Sequence, residues 1–355
     1  MDQFTMRLYN WYHEHRRDLP WRSTSDPYLI WISETILQQT RIVQGLPYYN
    51  RFVERYPDVQ SLARSSSDEL MKIWEGLGYY SRARNLHIAA KTIVDEMNGE
   101  FPRDYDTIRR LRGVGDYTAA AVASIAFGLP YAVIDGNVFR LLCRYFGIEE
   151  AVDTAPGKRI VHAKAQELLD RENPGFHNQA VMEFGALCCI PKNPGCGQCP
   201  LHPHCVAWRH DMTGLLPVKT RKVKRRIRHF LFFLLENETH LILERRNGND
   251  IWKNLYQLPL VETPQALTRE EILTHPFLCE LAGQGQAIVM EITSPYRHEL
   301  THQQINARFI RVFQENLAPG ENRMEIKKKE IPKFAYPVLI RNFLDKLQIT
   351  GREMI

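Results

Sequence analysis

LRGVGDYTAAAVASIAFG, from Leu111 to Gly128, decides the fold of the first half of the chain. Gly113 and Gly115 stand in a tight connection between the short apolar-spaced stretch Tyr105 to Leu111 and an Ala-rich run that favours helix. The segment from about 105 to 127 therefore reads as a helix-hairpin-helix. Glycines let the backbone approach an anion closely, and the second helix aims its unpaired N–H groups and positive dipole end at it. A phosphate held in this way is held whatever the base sequence attached to it. A Gly-x-Gly turn alone fits any short helix–helix connection, so the flanking patterns give this one its weight.

Outward from the hairpin, the chain up to about Trp208 reads as helices broken by short Gly, Pro and Ser turns. Apolar residues recur at three- and four-residue spacing in Leu62 to Trp74 and Leu86 to Met97. The period then changes. HFLFFLL, a turn at ENET, HLILERR and later INARFIRVF are strand-like, and Pro337 to Leu347 reads as a closing helix. A chain of 355 residues is long enough for two domains, each with its own core. Between them, Lys219 to Arg228 (KTRKVKRRIR) holds seven basic residues and no acidic one, although the whole chain carries a net charge of only +5. Such a run fits a solvated linker and a phosphate contact equally. No stretch is apolar enough to span a membrane, and the start MDQFTMRLYNWYHEH has no apolar signal core, so a cytoplasmic protein is expected.

Cys189, Cys196, Cys199 and Cys205 are spaced C-x6-C-x2-C-x5-C, with IPKNPG, GQ and PLHPH between them. These loops carry Pro and Gly rather than apolar periodicity, so the thiols sit on a coil wrapped around something. Four thiolates on short loops can hold an iron–sulfur cluster or a tetrahedral zinc. Spacing alone leaves both open. Clustered rather than paired cysteines also fit a reducing compartment.

Two carboxylates stand in different surroundings. Asp26 and Pro27, as N-cap and first helical residue, open a helix running to Leu37. Glu34 lies inside it beside Ile30, Trp31 and Leu37 at helical spacing, where desolvation raises a carboxyl pKa and favours the protonated acid. A half-buried Glu paired with Arg41 is the ordinary alternative. Asp135 follows the extended YAVI and precedes the helical GNVFRLLCRYF, an N-cap position whose N–H groups and dipole keep a carboxylate ionised. Simple capping explains it too, and is compatible with catalysis. An acid and an anion set apart by environment form the pair that breaks a glycosidic bond through an oxocarbenium-like transition state.

With these residues in place the chain resembles the adenine DNA glycosylases of the MutY family, in the helix-hairpin-helix superfamily that includes endonuclease III. The motifs that carry the resemblance are LPWR (Leu19 to Arg22), SETILQQTRI (Ser33 to Ile42), GLGYYSRARNL (Gly76 to Leu86), LRGVGDYTAAA, VIDGNVFR (Val133 to Arg140) and the four cysteines. It implies a mostly α helix-hairpin-helix glycosylase domain over 1–210 with an iron–sulfur loop at 189–205. A basic linker at 211–228 and an α+β Nudix-like damage-recognition domain over 229–355 follow. It implies a [4Fe–4S] cluster on Cys189, Cys196, Cys199 and Cys205. Glu34 matches the acid that protonates a flipped adenine, Asp135 the carboxylate that stabilises the sugar cation, and Asn137 a helper beside it. Arg22 and Leu37 match residues at the adenine pocket, Gln39 and Tyr79 residues that wedge into the duplex beside the orphan base, and Gly113 and Gly115 the phosphate-gripping hairpin. For these the residue types alone suggest plainer roles: a surface ion pair for Arg22, a solvent-facing helix residue for Gln39, a core aromatic for Tyr79, a helix-start residue for Asn137.

Lyase members of the superfamily carry a catalytic Lys where Tyr117 stands, and no Schiff base forms at a tyrosine. A monofunctional glycosylase is expected, with Tyr117 lining the pocket and supporting the sugar cation. In the second domain DIWKNLYQLPL and KFAYPVLIRNFL carry the resemblance, without the glutamate row of a Nudix hydrolase, so recognition rather than pyrophosphatase activity is expected. The family's Phe-Ser-His loop corresponds to Leu300, Thr301 and His302 here, which keep a hydroxyl and the imidazole but not the aromatic ring. The implied partner is duplex DNA with adenine opposite 8-oxoguanine or guanine, met by a monomer of bacterial type that works at the nucleoid. The rivals are an endonuclease III-like pyrimidine-damage glycosylase and lyase, and a non-catalytic iron–sulfur DNA-binding redox sensor.

Overall fold

The computed structural model describes residues 2–220, 225–283, 287–317, 319–320 and 322–349. Contacts divide the chain into two compact units, Met1–Arg64 with Asn85–Arg221 and Ser65–Arg84 with Lys222–Ile355.

The first unit is helical. Asp26 caps the helix Pro27–Leu37 by accepting the Tyr28 N–H at 2.8 Å, and eight of its eleven residues are buried. A helix apolar nearly all round belongs in the centre of a bundle, and it packs there against Asp116–Phe127. Helix Gly136–Phe146 contributes Val138, Leu141 and Leu142 to a core shared with Phe4, Leu8 and Tyr12 of the first helix and Phe184 of helix Pro174–Leu187. Helices Tyr105–Arg110 and Asp116–Phe127 flank the predicted hairpin. Gly113 has φ +82°, and a Cβ there would stand 2.5 Å from the Asn85 Cβ, so the turn both needs a left-handed residue and leaves no room for a side chain.

The second unit is a mixed sheet packed with helices. Its strands, among the described residues, are β1 (Arg226–Glu236), β2 (His240–Arg245), β3 (Tyr256–Gln257), β4 (Leu260–Thr263), β5 (Ala287–Ile292), β6 (Tyr296–Glu299), β7 (Gln303–Gln314) and β8 (Arg323–Lys327). The main order is β3-β2-β1-β7-β5, with β4 on β1, β6 on β7 and β8 on β2. β1 and β7 run parallel from Arg226↔Gln303 to Glu236↔Phe313, while β1 and β2 form a hairpin whose turn is closed by the Asn237 side chain accepting the Thr239 and His240 N–H groups. β1 is covered on both faces, which is why it reads as a near-continuous apolar run instead of an alternation. Leu231, Phe233 and Leu235 join one core. On the other face Phe232 stacks on Phe309, and Phe309 on Phe343 of the closing helix Val338–Lys346.

Three features depart from the expected organisation. The stretch Leu62 to Trp74 is not one helix, because Ser65 and Ser66 interrupt it and Ser66 opens the helix Ser67–Trp74 with a capping box to Glu69. Residues Ser65–Arg84, placed within 1–210 by sequence, cluster with the C-terminal unit, where Asp68 meets Arg245 and Tyr256, and Arg84 donates to the Lys253 carbonyl. The expected linker 211–228 is also shorter. Val218 accepts the Val152 N–H and Asp153 accepts from Thr220, holding the chain to the first unit, while Arg226 and Arg228 already belong to β1. Residues 221–224 of the basic run lie outside the described residues. No described helix is long and apolar enough to cross a membrane.

Candidate active site

Glu34 is 6% exposed, on the inward side of its helix. Burial pushes its carboxyl up to about 7, the nearby Asp135 adds to the rise, and a hydrogen bond from Tyr117 with the charge of Arg22 opposes it. The bond is short: the Tyr117 hydroxyl donates to Glu34 Oε2 at 2.5 Å. Tyr117 is on the first turn of helix Asp116–Phe127, directly after the hairpin, so the Gly-x-Gly turn also delivers the acid's partner. The ordinary expectation of an Arg41 partner gives way to this tyrosine.

Asp135 caps helix Gly136–Phe146, accepting the Asn137 and Val138 N–H groups at 2.9 and 2.8 Å through Oδ1 and the Asn137 side-chain amide at 2.7 Å through Oδ2. Burial nevertheless raises its pKa above the usual Asp value, against the pull of those three bonds and of Arg140. The two carboxylates are thus both raised by burial, Glu34 to about 7, and hydrogen bonds oppose the rise at each. Arg140 extends the arrangement: its guanidinium donates to Asn137 Oδ1 at 2.9 Å and to the Cys189 carbonyl at 2.6 Å. Gly185 lets the neighbouring helix come this close, since a Cβ there would lie 2.8 Å from the Asn137 Cβ.

Arg22, in the short turn Pro20–Arg22, forks onto Glu183 at 2.8 and 2.7 Å. Arg17 binds the same carboxylate through its backbone N–H and guanidinium. Glu183 is 1% exposed, and these bonds overcome its burial to bring its pKa down to about 2. The sequence reading missed Glu183. Its one signal was a charged residue on the otherwise apolar face of AVMEFGAL. Arg22, Glu34, Leu37, Tyr117, Asp135, Asn137 and Glu183 line a single cavity of about 170 Å³. Such a site can take a proton donor, an anion and a fixed cation to one small polar ligand.

Residues 32–171 match the HhH-GPD superfamily of base excision DNA repair proteins, and 231–346 match the NUDIX domain. The chain is 33% identical to an adenine DNA glycosylase of Buchnera aphidicola subsp. Baizongia pistaciae over 84% of its own length and 83% of that protein. The chain belongs to the adenine DNA glycosylase family. This glycosylase is also 42% identical to the Homo sapiens adenine DNA glycosylase over 58% of its length and 39% of the human chain. Among solved structures it is similar to a thermostable thymine-DNA glycosylase, with a TM-score of 0.55 and 30% identity over 58% of its length and 95% of that chain. It is a base excision repair enzyme, a DNA N-glycosylase with a helical HhH-GPD domain and a Nudix-like sheet domain.

Elsewhere in the glycosylase, Cys189, Cys196, Cys199 and Cys205 line one cavity together with Cys188, Arg144 and His202. Cys188, set outside the motif by its spacing, is thus a fifth thiol there. Arg144, 3% exposed, donates to Cys189 Sγ at 3.5 Å and to the Ile190 and Pro191 carbonyls, holding the first cysteine loop to helix Gly136–Phe146. Among the described residues no three Cys, His, Asp or Glu side chains meet in metal-ligand geometry. The donor set itself, four thiols on Pro- and Gly-rich loops beside a buried guanidinium, suits an anionic thiolate-bound group.

Gln39 and Tyr79 are exposed and outside helices, each with a left-handed backbone, φ +58° and +47°. Neither plainer role, helix surface or core aromatic, applies. Leu300, Thr301 and His302 lie at the β6–β7 turn, closed by the Leu300 N–H on the Gln303 carbonyl, with Thr301 and His302 exposed. Tyr79 and Thr301 are bonded through their hydroxyls at 2.5 Å. Gly115, unlike Gly113, has an ordinary φ and serves as N-cap of Asp116–Phe127 with no side-chain cap bond.

Proposed function

We propose that the glycosylase removes adenine from duplex DNA where it stands opposite 8-oxoguanine or guanine, flipping it into the cavity shared by Glu34 and Asp135. The observation that carries this is a buried Glu34 with a pKa near 7, hydrogen-bonded to Tyr117 and set beside Asp135 in one cavity. A group that is half protonated at working pH is suited to give a proton in the transition state. Protonated Glu34 delivers its proton to the imidazole part of the flipped adenine, the bond from the sugar carbon to the base breaks, and the electron pair leaves with the base. Asp135, oriented by Asn137, faces the cation left on the sugar, and water adds to that carbon, its proton passing to the Glu34 carboxylate left by the first step, to leave an abasic site. Arg22, fixed by Glu183, and Leu37 border the base. Tyr117 has no amine for a Schiff base, so strand cleavage does not follow.

The hairpin at Gly113 and Gly115 grips phosphate, Gln39 and Tyr79 contact the duplex at the orphan base, and Leu300, Thr301 and His302 read the damage. Cys189, Cys196, Cys199 and Cys205 would hold a [4Fe–4S] cluster, which when bound would staple the 189–205 loop, with exposed Lys192 on it. Iron and sulfide assayed in anaerobically purified protein, and their loss in Cys199→Ser, test the cofactor.

Single-turnover release of adenine from duplexes with A opposite 8-oxoguanine and A opposite G, compared with T opposite a damaged pyrimidine, tests the activity. Release from the first two alone is expected, and Asp135→Asn abolishes it while leaving duplex binding largely intact. Release from the pyrimidine duplex, or binding without base release, overturns the reading.

A further inference from the structure

The Tyr79 turn belongs to the C-terminal unit although it falls in the middle of the helical part of the sequence. It begins at Glu75, the C-cap of helix Ser67–Trp74, and passes through three left-handed positions, Gly76, Gly78 and Tyr79. Glycine adopts such a backbone freely, so the cost falls on Tyr79 alone. Within the turn, Trp74 Nε1 donates to the Gly78 carbonyl at 3.0 Å and the Arg82 guanidinium to the same oxygen at 3.2 Å.

The fixed end lies at Glu75. It is 8% exposed, and its carboxylate accepts the Tyr336 backbone N–H at 3.0 Å through Oε1 and the Lys72 ammonium at 2.8 Å through Oε2. Lys72 also donates to the Phe334 carbonyl at 2.7 Å, and the Tyr80 hydroxyl to the Tyr336 carbonyl at 3.3 Å. Residues 334–336, entering the closing helix, are therefore bracketed from both ends of the turn. Buried carboxylates without a charge-assisted network are rare.

We infer that Glu75 is a positioning residue for the Tyr79 turn, tying it to the Phe334–Tyr336 backbone so that the Nudix-like unit sets where Tyr79 meets the duplex. This rests on the reading of Tyr79 as a duplex contact. Glu75, buried, acts through the turn.

The test compares wild type with Glu75→Ala, Glu75→Gln and Lys72→Met as full-length proteins in two readouts. The first is amide hydrogen exchange over residues 76–80. The second is the ratio of kcat/KM for A opposite 8-oxoguanine over A opposite G. Glu75→Ala is expected to speed exchange in the turn and to lower the ratio roughly fivefold, about the worth of one hydrogen bond. Glu75→Gln keeps the acceptor for Tyr336 but loses the one for Lys72, and restores both in part. Lys72→Met removes one arm and gives an intermediate effect, which decides the matter should Glu75→Ala not fold. Unchanged exchange, or faster exchange with an unchanged ratio, overturns the inference. A wild-type enzyme with no preference between the two duplexes would instead sink the mispair reading, and the exchange data would still decide whether Glu75 holds the turn.

Discussion

The Tyr117 hydroxyl donates to the Glu34 carboxylate at 2.5 Å, across 83 residues of sequence, inside a cavity that also holds Asp135. Burial raises Glu34 and this bond restrains the rise, so the acid's pKa of about 7 is a balance between the two.

If Glu34 acts as the acid, base release needs its protonated form, so the rate should fall as pH rises through about 7. Glu34→Gln should lower release by roughly 100-fold or more. A single-turnover pH profile flat between the acid and alkaline sides of neutrality would contradict this.

The same shift has a stability sign. The folded carboxyl at about 7 lies above its ordinary 4.5, so between these values the folded state holds a proton that the unfolded chain has lost. Stability then falls as pH rises through that window, by about 3 kcal/mol in all. Glu34→Gln should therefore be more stable than wild type above pH 7 and lose that advantage by pH 4.5. Urea denaturation at several pH values measures it.

Tyr117→Phe removes the bond that lowers the Glu34 pKa, so the alkaline limb of the rate profile should move to higher pH. Movement to lower pH would show that the tyrosine acts otherwise. Borohydride should trap neither wild type nor variant on abasic DNA, and stoichiometric trapping would defeat the monofunctional assignment.

Glu183→Gln leaves Arg17 and Arg22 without their shared anion in a largely buried place, an expected loss of roughly 3 kcal/mol. Wild-type Glu183 lies below its unfolded pKa, so its stabilisation is present above about pH 4.5 and is lost as pH falls toward 2. The variant should therefore show a weaker acid transition than wild type by circular dichroism.

Gly113→Ala should cost about 1 kcal/mol from the left-handed backbone alone, with the contact to Asn85 adding to it. Gly115→Ala meets nothing within 4 Å and should leave stability nearly unchanged. Equal thermal shifts in the two would contradict the geometry of the turn. Thr301→Ala with His302→Ala should narrow discrimination between 8-oxoguanine and guanine, measured as the ratio of release rates.

Most of the local structure was legible in the chain. Asp26-Pro27 starts a helix, Gly-x-Gly makes a left-handed turn, Asp135 caps GNVFRLLCRYF and HFLFFLL makes a strand, because capping, turn chemistry and apolar period act within a few residues. Partners were not legible. The sequence offered Arg41 as a partner for Glu34, and the structure gives Tyr117. The clamp of Glu183 on Arg22 spans 161 residues, and Cys188 joins the cysteine cavity despite falling outside the spacing motif. The burial that raises Glu34 depends likewise on helices far apart in sequence.

The sequence by itself determined that two carboxylates would sit on helix-linked positions to either side of a glycine hairpin in the chain, and which family such motifs resemble. Only the tertiary structure decided that both carboxylates are raised, that a tyrosine tempers one and backbone N–H groups the other, and that Ser65–Arg84 packs with the C-terminal unit. Desolvation and charge pairing are sums over everything packed around a group. No short window of sequence contains those neighbours.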